Sequence, residues 1–272
     1  MEENADVASI ILAAGKGTRM VGYDGNKTLL PLIPGPSPYQ GSHPMLLHIL
    51  SCLPPGPKAL VIHHGKESII EATVGLDLAY CFQPELNGTG GALLSARAFV
   101  RELSLSRIII TMGDVPLVRR STYLDLVRGL EGADLMILGF QPTDKRRYGV
   151  LEIEGNRVTR IIEWEYWHRY PYEHQEAFKT CNSGIYAVRR DVLLMYLHLL
   201  EARPHRVRKE RKGTISEIQE FFITDLIELM ARDGLVVHYI LARDEREVMG
   251  VDDLHALKEV QELYRTLDGG EA

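Results

Sequence analysis

The sequence predicts an α/β domain built on a mostly parallel sheet, and three observations carry that expectation. Short apolar runs recur at 9–12, 59–63, 78–82, 107–112 and 133–140, the length and make-up of buried strands. Segments with helical patterning lie between several of them, at 44–53, 66–74 and 92–103; strands alternating with helices form parallel sheets joined by right-handed crossovers. Glycine-rich turns follow two of the strands, around Gly15 and Gly88, and such turns mark strand ends. At 272 residues, with 45% hydrophobic and 25% charged side chains, the chain is long enough to bury a sizeable core.

The strand at 9–12 opens the stretch on which the chain is organised, Ile10 to Met20, reading Ile-Ile-Leu-Ala-Ala-Gly-Lys-Gly-Thr-Arg-Met. Gly15 and Gly17 lack a Cβ, so they can take positive φ and let an anion approach bare backbone amides. Lys16 and Arg19 add positive charge, which makes the stretch a phosphate cradle. Its spacing is neither that of a P-loop nor that of a dinucleotide fingerprint, because Met20 holds the place of the third glycine. Gly-x-Gly alone also fits an ordinary strand-to-loop turn.

After Lys27, the Pro/Gly-rich stretch 33–42 reads as an irregular surface loop. Residues 44–53 have proline at a first helical position and apolar residues around most of the surface, so a buried helix is expected, with His48 a packed or partly exposed side chain on it. The strand at 59–63, the helix at 66–74 and the strand at 78–82 follow. Next comes Gln83-Pro-Glu-Leu-Asn-Gly-Thr-Gly-Gly-Ala, a glycine-rich turn entering the helix at 92–103. Its amides can face a ligand, and the Gln83 side chain offers both a donor and an acceptor to one edge of a base.

The strand at 107–112 ends in Gly113-Asp114. An aspartate there stands at the crevice where open α/β sheets bind ligands, where it can hold a divalent metal or cap the helix that begins near Ser121. Beyond the strand at 133–140 the pattern changes to a hairpin, 148–154 and 157–163 around a Gly155-Asn156 turn. Residues 164–172 are rich in aromatic side chains that serve core packing, a partner surface, a lid or a sugar face. A helix at 191–201 leads into the basic run 206–212, a solvated loop by default and a dock for an anionic partner otherwise. A helix ending at Asp233, a last strand at 236–241 and a terminal helix ending near Leu267 complete the chain.

Read together, Leu12-x-x-Gly15-x-Gly17-Thr18-Arg19-Met20 with Lys27, Gln83-x-x-x-x-Gly88-Thr89-Gly90, Gly113-Asp114, Tyr148-Gly149, Glu163, Asn182-Ser183-Gly184-Ile185-Tyr186, Glu220 to Asp225 and Gly250-Val251-Asp252-Asp253 resemble the sugar-1-phosphate nucleotidyltransferases. They resemble in particular the uridylyltransferase domain of the bifunctional N-acetylglucosamine-1-phosphate uridylyltransferases. The resemblance runs from Ile10 to about Leu267 and leaves nothing over for a β-helix acetyltransferase domain. It implies a Rossmann-like, mixed but mostly parallel sheet of the nucleotide-diphospho-sugar transferase type. It also implies one domain over 1–272, with a nucleotide-binding half at about 1–140 and an acceptor-binding half at about 141–272.

The implied roles are Arg19 and Lys27 on the triphosphate as catalytic cations; Ala13, Ala14, Gly15, Gly17, Gln83, Gly88 and Thr89 on the nucleotide; Gly149, Glu163 and Asn182 on the sugar; and Asp114 and Asp252 on Mg²⁺. Asp252 equally suits a cap for the helix beside it. Three positions depart from the family pattern: Met112 replaces a common tyrosine, Phe221 and Phe222 replace two tyrosines, and Trp164 to Trp167 replaces Lys-Asp.

The implied substrates are UTP and N-acetylglucosamine-1-phosphate, with another base or phosphorylated acceptor, or a silent nucleotide-binding module, as rival readings. The net charge of −6 argues against nucleic-acid binding, because a duplex binder is basic over the face that meets phosphate. No apolar run approaches the ~20 residues of a membrane helix, and the acidic N-terminus does not read as a signal peptide, so no membrane and a cytoplasmic location are expected. A homo-oligomer remains open. Cys52, Cys81 and Cys181 have no Cys-x-x-Cys spacing and read as buried structural thiols.

Overall fold

The structure, a computed structural model, describes residues 7–17, 19–20, 22–211 and 214–268. Thr18 of the glycine loop, Lys212 of the basic run and the acidic N-terminal hexapeptide lie outside them. In chain order the elements are β1 (Val7–Leu12), β2 (Pro31–Ser37), β3 (Gln40–Pro44), α1 (Met45–Cys52), β4 (Lys58–Ile62), α2 (Lys66–Ala72), β5 (Leu78–Phe82), α3 (Gly88–Ser95), α4 (Arg97–Glu102), β6 (Arg107–Met112), α5 (Arg120–Gly129) and β7 (Leu135–Phe140). There follow β8 (Val150–Glu154), β9 (Arg157–Ile162), α6 (Trp164–Trp167), α7 (Tyr172–Ala177), β10 (Cys181–Arg189), α8 (Arg190–Glu201), β11 (His205–Arg211), β12 (Thr214–Glu220), α9 (Thr224–Arg232), β13 (Val237–Leu241) and α10 (Leu254–Asp268).

Among the described residues the central sheet has nine strands, in the order β13-β7-β10-β6-β1-β4-β5, with β8 attached to β10 and β9 to β8. β1 pairs in parallel with β4 and β6, β4 with β5, and β7 with β13, whereas β10 runs antiparallel between β6 and β7. The sheet is therefore mixed and mostly parallel, as expected. All six β1 residues are buried; Ala8, Ile10 and Leu12 face one apolar cluster and Val7 and Ile11 the other. A strand covered on both faces needs a continuous apolar run rather than alternation, which is what residues 9–12 supply.

A third, smaller cluster joins Leu32 of β2, Met45 of α1, and Val251, Leu257 and Val260 at the start of α10. It folds the end of the chain back onto its beginning, and so brings residue 252 to the glycine loop.

Three expectations are corrected. Residues 33–42 are not an irregular loop: β2 and β3 form an antiparallel ribbon pairing Ile33 with Ser42 and Pro34 with Gly41. A two-stranded ribbon is all edge, so its prolines need not donate to a ladder, and a side chain at 41 would strike the Ile33 carbonyl at 2.0 Å. The basic run is likewise a strand: β11 pairs with β12, Arg206 opposite Gln219 and Arg208 opposite Glu217, with an Arg206–Glu217 ion pair at 3.8 Å. Acidic residues in the following strand supply the countercharges that made a solvated loop look sufficient. Residues 92–103 are two helices, and the glycine-rich turn before them is the first turn of α3. Of the thiols, Cys181 is buried while Cys52 and Cys81 are half-buried, and all three are free.

Candidate active site

The parallel strands β1, β4, β5 and β6 end on one side of the sheet, and the loops that follow them meet there, the usual crevice of an open α/β sheet. Gly113 N donates to the Leu12 carbonyl at 2.9 Å and Ala13 N to Val61 at 2.9 Å. Ala13 and Ala14 are buried, and an added Cβ at Gly113 would lie 3.1 Å from that of Ala13. The first glycine loop thus lies against the Gly113-Asp114 turn.

Lys27 is delivered by a 3₁₀ turn, Lys27–Leu29, capped by Asn26. Asn26 is 2% exposed; its Oδ1 accepts from Thr28 N at 2.9 Å, and its Nδ2 donates to the His64 carbonyl beyond β4 at 2.6 Å. Asparagine both caps well and tolerates such turns. Gly17 takes φ +60°, and an added side chain would press on Lys27 Cβ at 3.2 Å, so the glycine loop lies over the lysine stem.

The Lys27 ammonium donates to Asp114 Oδ2, to Asp252 Oδ1 at 3.3 Å and to the Val251 carbonyl at 3.4 Å. Arg19 Nη1 donates to Asp252 Oδ2 at 3.1 Å. The side chains of Lys27 and Asp114 are 11% and 15% exposed, that of Asp252 48% and that of Arg19 67%. Burial pulls the Lys27 pKa down, but Asp114 and then Asp252 outweigh it, and the net shift is upward. The lysine is firmly charged. The two catalytic cations and two metal ligands expected from the sequence thus form one cluster, assembled from three connections: β1 to β2, β6 to α5 and β13 to α10.

That arrangement tests whether these residues suit a divalent metal. The ammonium stands where both carboxylates reach it, as a stand-in cation between hard oxygen ligands, the donor type Mg²⁺ takes. Among the described residues no group of three or more His, Cys, Asp or Glu side chains is placed to hold a metal. Two carboxylates with phosphate oxygens and water are nonetheless a common magnesium environment, and the pair fits it.

Gln83 is placed differently. It is 4% exposed, and its Nε2 donates to Asn87 Oδ1 at 2.9 Å and to the Gly88 carbonyl at 3.3 Å. His63 Nδ1 donates to its carbonyl at 2.7 Å. Its amide thus braces the loop that carries Gly88 and Thr89. Gly88 takes φ +94°, and a side chain there would strike the Phe221 carbonyl at 2.3 Å. Thr89 Oγ1 accepts from Ile223 N at 3.3 Å.

The three expected sugar contacts also come together. Asn182 N donates to the Gly149 carbonyl at 2.8 Å, and an added Cβ at Gly149 would lie 3.3 Å from Glu163 Oε2. Asn182 Nδ2 donates to the Tyr186 hydroxyl at 2.8 Å, and its Oδ1 accepts from Gly184 N at 3.1 Å. A bulge in β10 between Asn182 and Tyr186 creates this turn. Glu163 Oε1 accepts from Thr224 Oγ1 at 2.8 Å. Burial first, with Glu165 and Asp225 adding, raises the Glu163 pKa against the opposing Thr224 bond. Met112 lies 3.3 Å from an added Cβ at Gly184, where the two groups of residues adjoin.

In the aromatic segment, Trp167 is buried with Nε1 on the Tyr148 carbonyl at 2.8 Å, while Tyr166 and Tyr172 are exposed. Trp164 stacks on His168 with centroids 4.3 Å apart, and the Arg147 guanidinium lies 4.8 Å from its centroid.

Residues 9–205 match the MobA-like NTP transferase domain family. The chain is a member of that family. It is 30% identical over 264 residues to the bifunctional protein GlmU of Novosphingobium aromaticivorans, an alignment covering 95% of this chain and 52% of that one. With the GlmU of Parvibaculum lavamentivorans it shares 33% identity over 258 residues, 93% of this chain and 51% of the other. The chain therefore spans about half the length of these relatives. Among solved structures, the UDP-N-acetylglucosamine pyrophosphorylase of Trypanosoma brucei superposes with a TM-score of 0.72 at 13% identity, over 94% of this chain and 65% of that one, a likeness of fold. The resemblance to the sugar-1-phosphate nucleotidyltransferases holds, and the protein is a nucleotidyltransferase by family.

The sequence does not single out Asn26, and it marks Phe221 and Thr224 only within the Glu220 to Asp225 stretch, without these contacts. Asn26 had a legible signal, a capping residue directly before Lys27. Phe221 acts through its backbone: its carbonyl accepts from Gly90 N at 2.8 Å and its N–H donates to Asn87 at 2.9 Å. No side-chain pattern could reveal that.

Proposed function

We propose that the protein transfers a uridylyl group from UTP to a sugar-1-phosphate, N-acetylglucosamine-1-phosphate before others, with release of pyrophosphate. The observation that carries this reading is the cluster of Arg19, Lys27, Asp114 and Asp252 beneath the glycine loop. A phosphate monoester has a second pKa near ~6, so the attacking oxygen is ionised at neutral pH and needs no general base. What the reaction needs is alignment of two polyanions and relief of charge on the leaving group.

In this reading Ala13, Ala14, Gly15 and Gly17 shape the loop that receives the triphosphate. Lys27, already charged and held by Asp114 and Asp252, turns its ammonium to the phosphates, and Arg19 does so from the rim. Gln83, Gly88 and Thr89 form the base subsite, and Gly149, Glu163 and Asn182 hold the sugar. Asp114 and Asp252 would hold magnesium, which would supply charge neutralisation for the triphosphate and the leaving pyrophosphate. The nucleotide half is taken as residues up to about 140 and the acceptor half as the remainder. The working site is the cytoplasm, and homo-oligomers are compatible with it. The described residues include no helix long and apolar enough to cross a membrane.

A second reading, the same transfer with another base, is favoured by one observation: the Gln83 amide N–H groups are spent on Asn87 and Gly88. Pyrophosphate release measured over UTP, ATP, GTP, CTP and dTTP against several sugar-1-phosphates separates the two. The proposal expects the highest kcat/KM for UTP with N-acetylglucosamine-1-phosphate. Equal turnover of GTP refutes the uridylyl assignment, and no release with any pair refutes the enzyme.

A further inference from the structure

The two carboxylates of the cluster sit on different loops, Asp114 between β6 and α5 and Asp252 just before α10. Their separation is set by whatever joins those loops. One tie is a backbone bond, Val251 N to the Asp114 carbonyl at 2.8 Å. Another, besides the Lys27 ammonium that reaches both carboxylates, is a side chain outside the cluster. Glu247, in the 3₁₀ turn Glu245–Val248, is 4% exposed. Its Oε1 accepts from Arg119 N at 2.9 Å and from Thr122 Oγ1, both at the N-terminal end of α5. Its Oε2 is buried with no hydrogen-bond partner.

A carboxylate is costly to bury, and one with an orphaned oxygen more so. An ordinary helix cap comes from the residue that precedes the helix and needs no such cost; here the cap of α5 is supplied from 128 residues away, as the Arg119–Glu247 separation gives. What the distant cap adds is a cross-link. Arg119 follows Asp114 in one loop and Glu247 precedes Asp252 in the other, so the Glu247 bridge and the Val251 bond close a ring around the two loops.

The geometry points to Glu247 as a positioning residue that fixes the Asp114–Asp252 spacing, and through it the grip of the pair on a divalent cation. The inference rests on the metal reading of that pair given above. Glu247 touches neither substrate nor metal. Residues that orient metal ligands are typically worth ~10–100-fold in metal affinity.

The test uses the full chain without substrates and three variants: Glu247→Ala, which removes the bridge; Glu247→Gln, which keeps an acceptor for Arg119 N and Thr122; and Thr122→Val, which removes one leg. Amide hydrogen exchange at Val251 is read in metal-free protein, and Mn²⁺ affinity is read by titration. In Glu247→Ala the Val251 amide should lose protection and Mn²⁺ should bind on the order of 10-fold more weakly, with Glu247→Gln close to wild type and Thr122→Val between. A residue that merely capped α5 would speed exchange in the first turn of that helix and leave Val251 protected. Unchanged Val251 protection in a folded Glu247→Ala, or a Glu247→Gln as impaired as the alanine variant, overturns the inference. Should Glu247→Ala not fold, wild-type protection at Val251 in Thr122→Val overturns it instead. Should the wild type bind no Mn²⁺, the metal reading fails, while Val251 exchange still decides whether Glu247 joins the loops.

Discussion

Around Lys27 the site is held by charges, with two cations and two carboxylates from three loops. Around Glu163 it is held by a mesh of hydrogen bonds from Thr224, Asn182, Tyr186 and the Gly149 backbone. The first region is built to exchange partners: each ion pair can be given up for a phosphate or a metal of matching charge. The second is built to keep its shape, since a buried hydrogen-bonding group left unpaired costs the full desolvation of that group. Under the proposed function the labile half would receive the triphosphate and the rigid half the sugar.

The largest effect expected of this contrast is on catalysis at the charged end. Lys27→Ala and Arg19→Ala should each lower kcat/KM, the lysine variant by on the order of 10²–10³, the usual loss when a donor to a transferring group is removed. Steady-state kinetics on folded variants checks it, and full activity in both would break the division between the two regions.

Next in size is the metal requirement. Asp253, not Asp252, caps α10, its Oδ1 accepting from Ala256 N at 2.9 Å; Asp252→Asn keeps the shape of the side chain but halves the charge offered by the pair, so the magnesium midpoint of activity should rise on the order of 10-fold, with the maximum recovered at high metal. The same midpoint as wild type would remove Asp252 from the metal site.

Smaller still is the pH response of the rigid half. Glu163 has its folded pKa raised by burial above the ordinary 4.5, so the folded state holds that proton more tightly than the unfolded chain does. Its contribution to stability is therefore full below about 4.5 and is lost as pH rises through the raised folded value. Glu163→Gln keeps an acceptor for Thr224 and removes the titration, so Tm at neutral pH should rise relative to wild type and the Tm difference should shrink toward acid. A Tm difference independent of pH would show that Glu163 does not titrate in this window.

The smallest effect belongs to the Arg19–Asp252 pair as a stabiliser. Its side chains are 67% and 48% exposed, and pairs of that kind contribute ~0–1 kcal/mol. Arg19→Ala should leave the denaturation midpoint nearly unchanged while activity falls. A marked loss of stability would make the charged end structural as well.

Much of this was determined by the sequence. The β-branched run ending in Ala-Ala-Gly, the aspartate closing the 107–112 strand and the Gly155-Asn156 hairpin signal are local patterns, and local patterns follow from propensity and turn chemistry over a few residues. They place Gly15, Gly17, Asp114, Gly149 and Glu163 at ends of strands without any tertiary information. The strand pairing of 206–211 was not legible, because its charges read as solvated until Glu217 of the next strand pairs with Arg206 at 3.8 Å. Nor was the ribbon at 31–44, whose prolines argue against a central strand but not against an isolated pair.

What only the tertiary structure decided is which groups face which: that Lys27 lies between Asp114 and Asp252, that the Gln83 amide braces its own loop, and that Glu247 joins the loops of the two carboxylates. The physical reason is separation along the chain. Asp252 reaches Lys27 across 225 positions because α10 packs its apolar face on β2 and α1. Burial of that face, set by the fold of the whole chain, chooses the partners that no local pattern encodes.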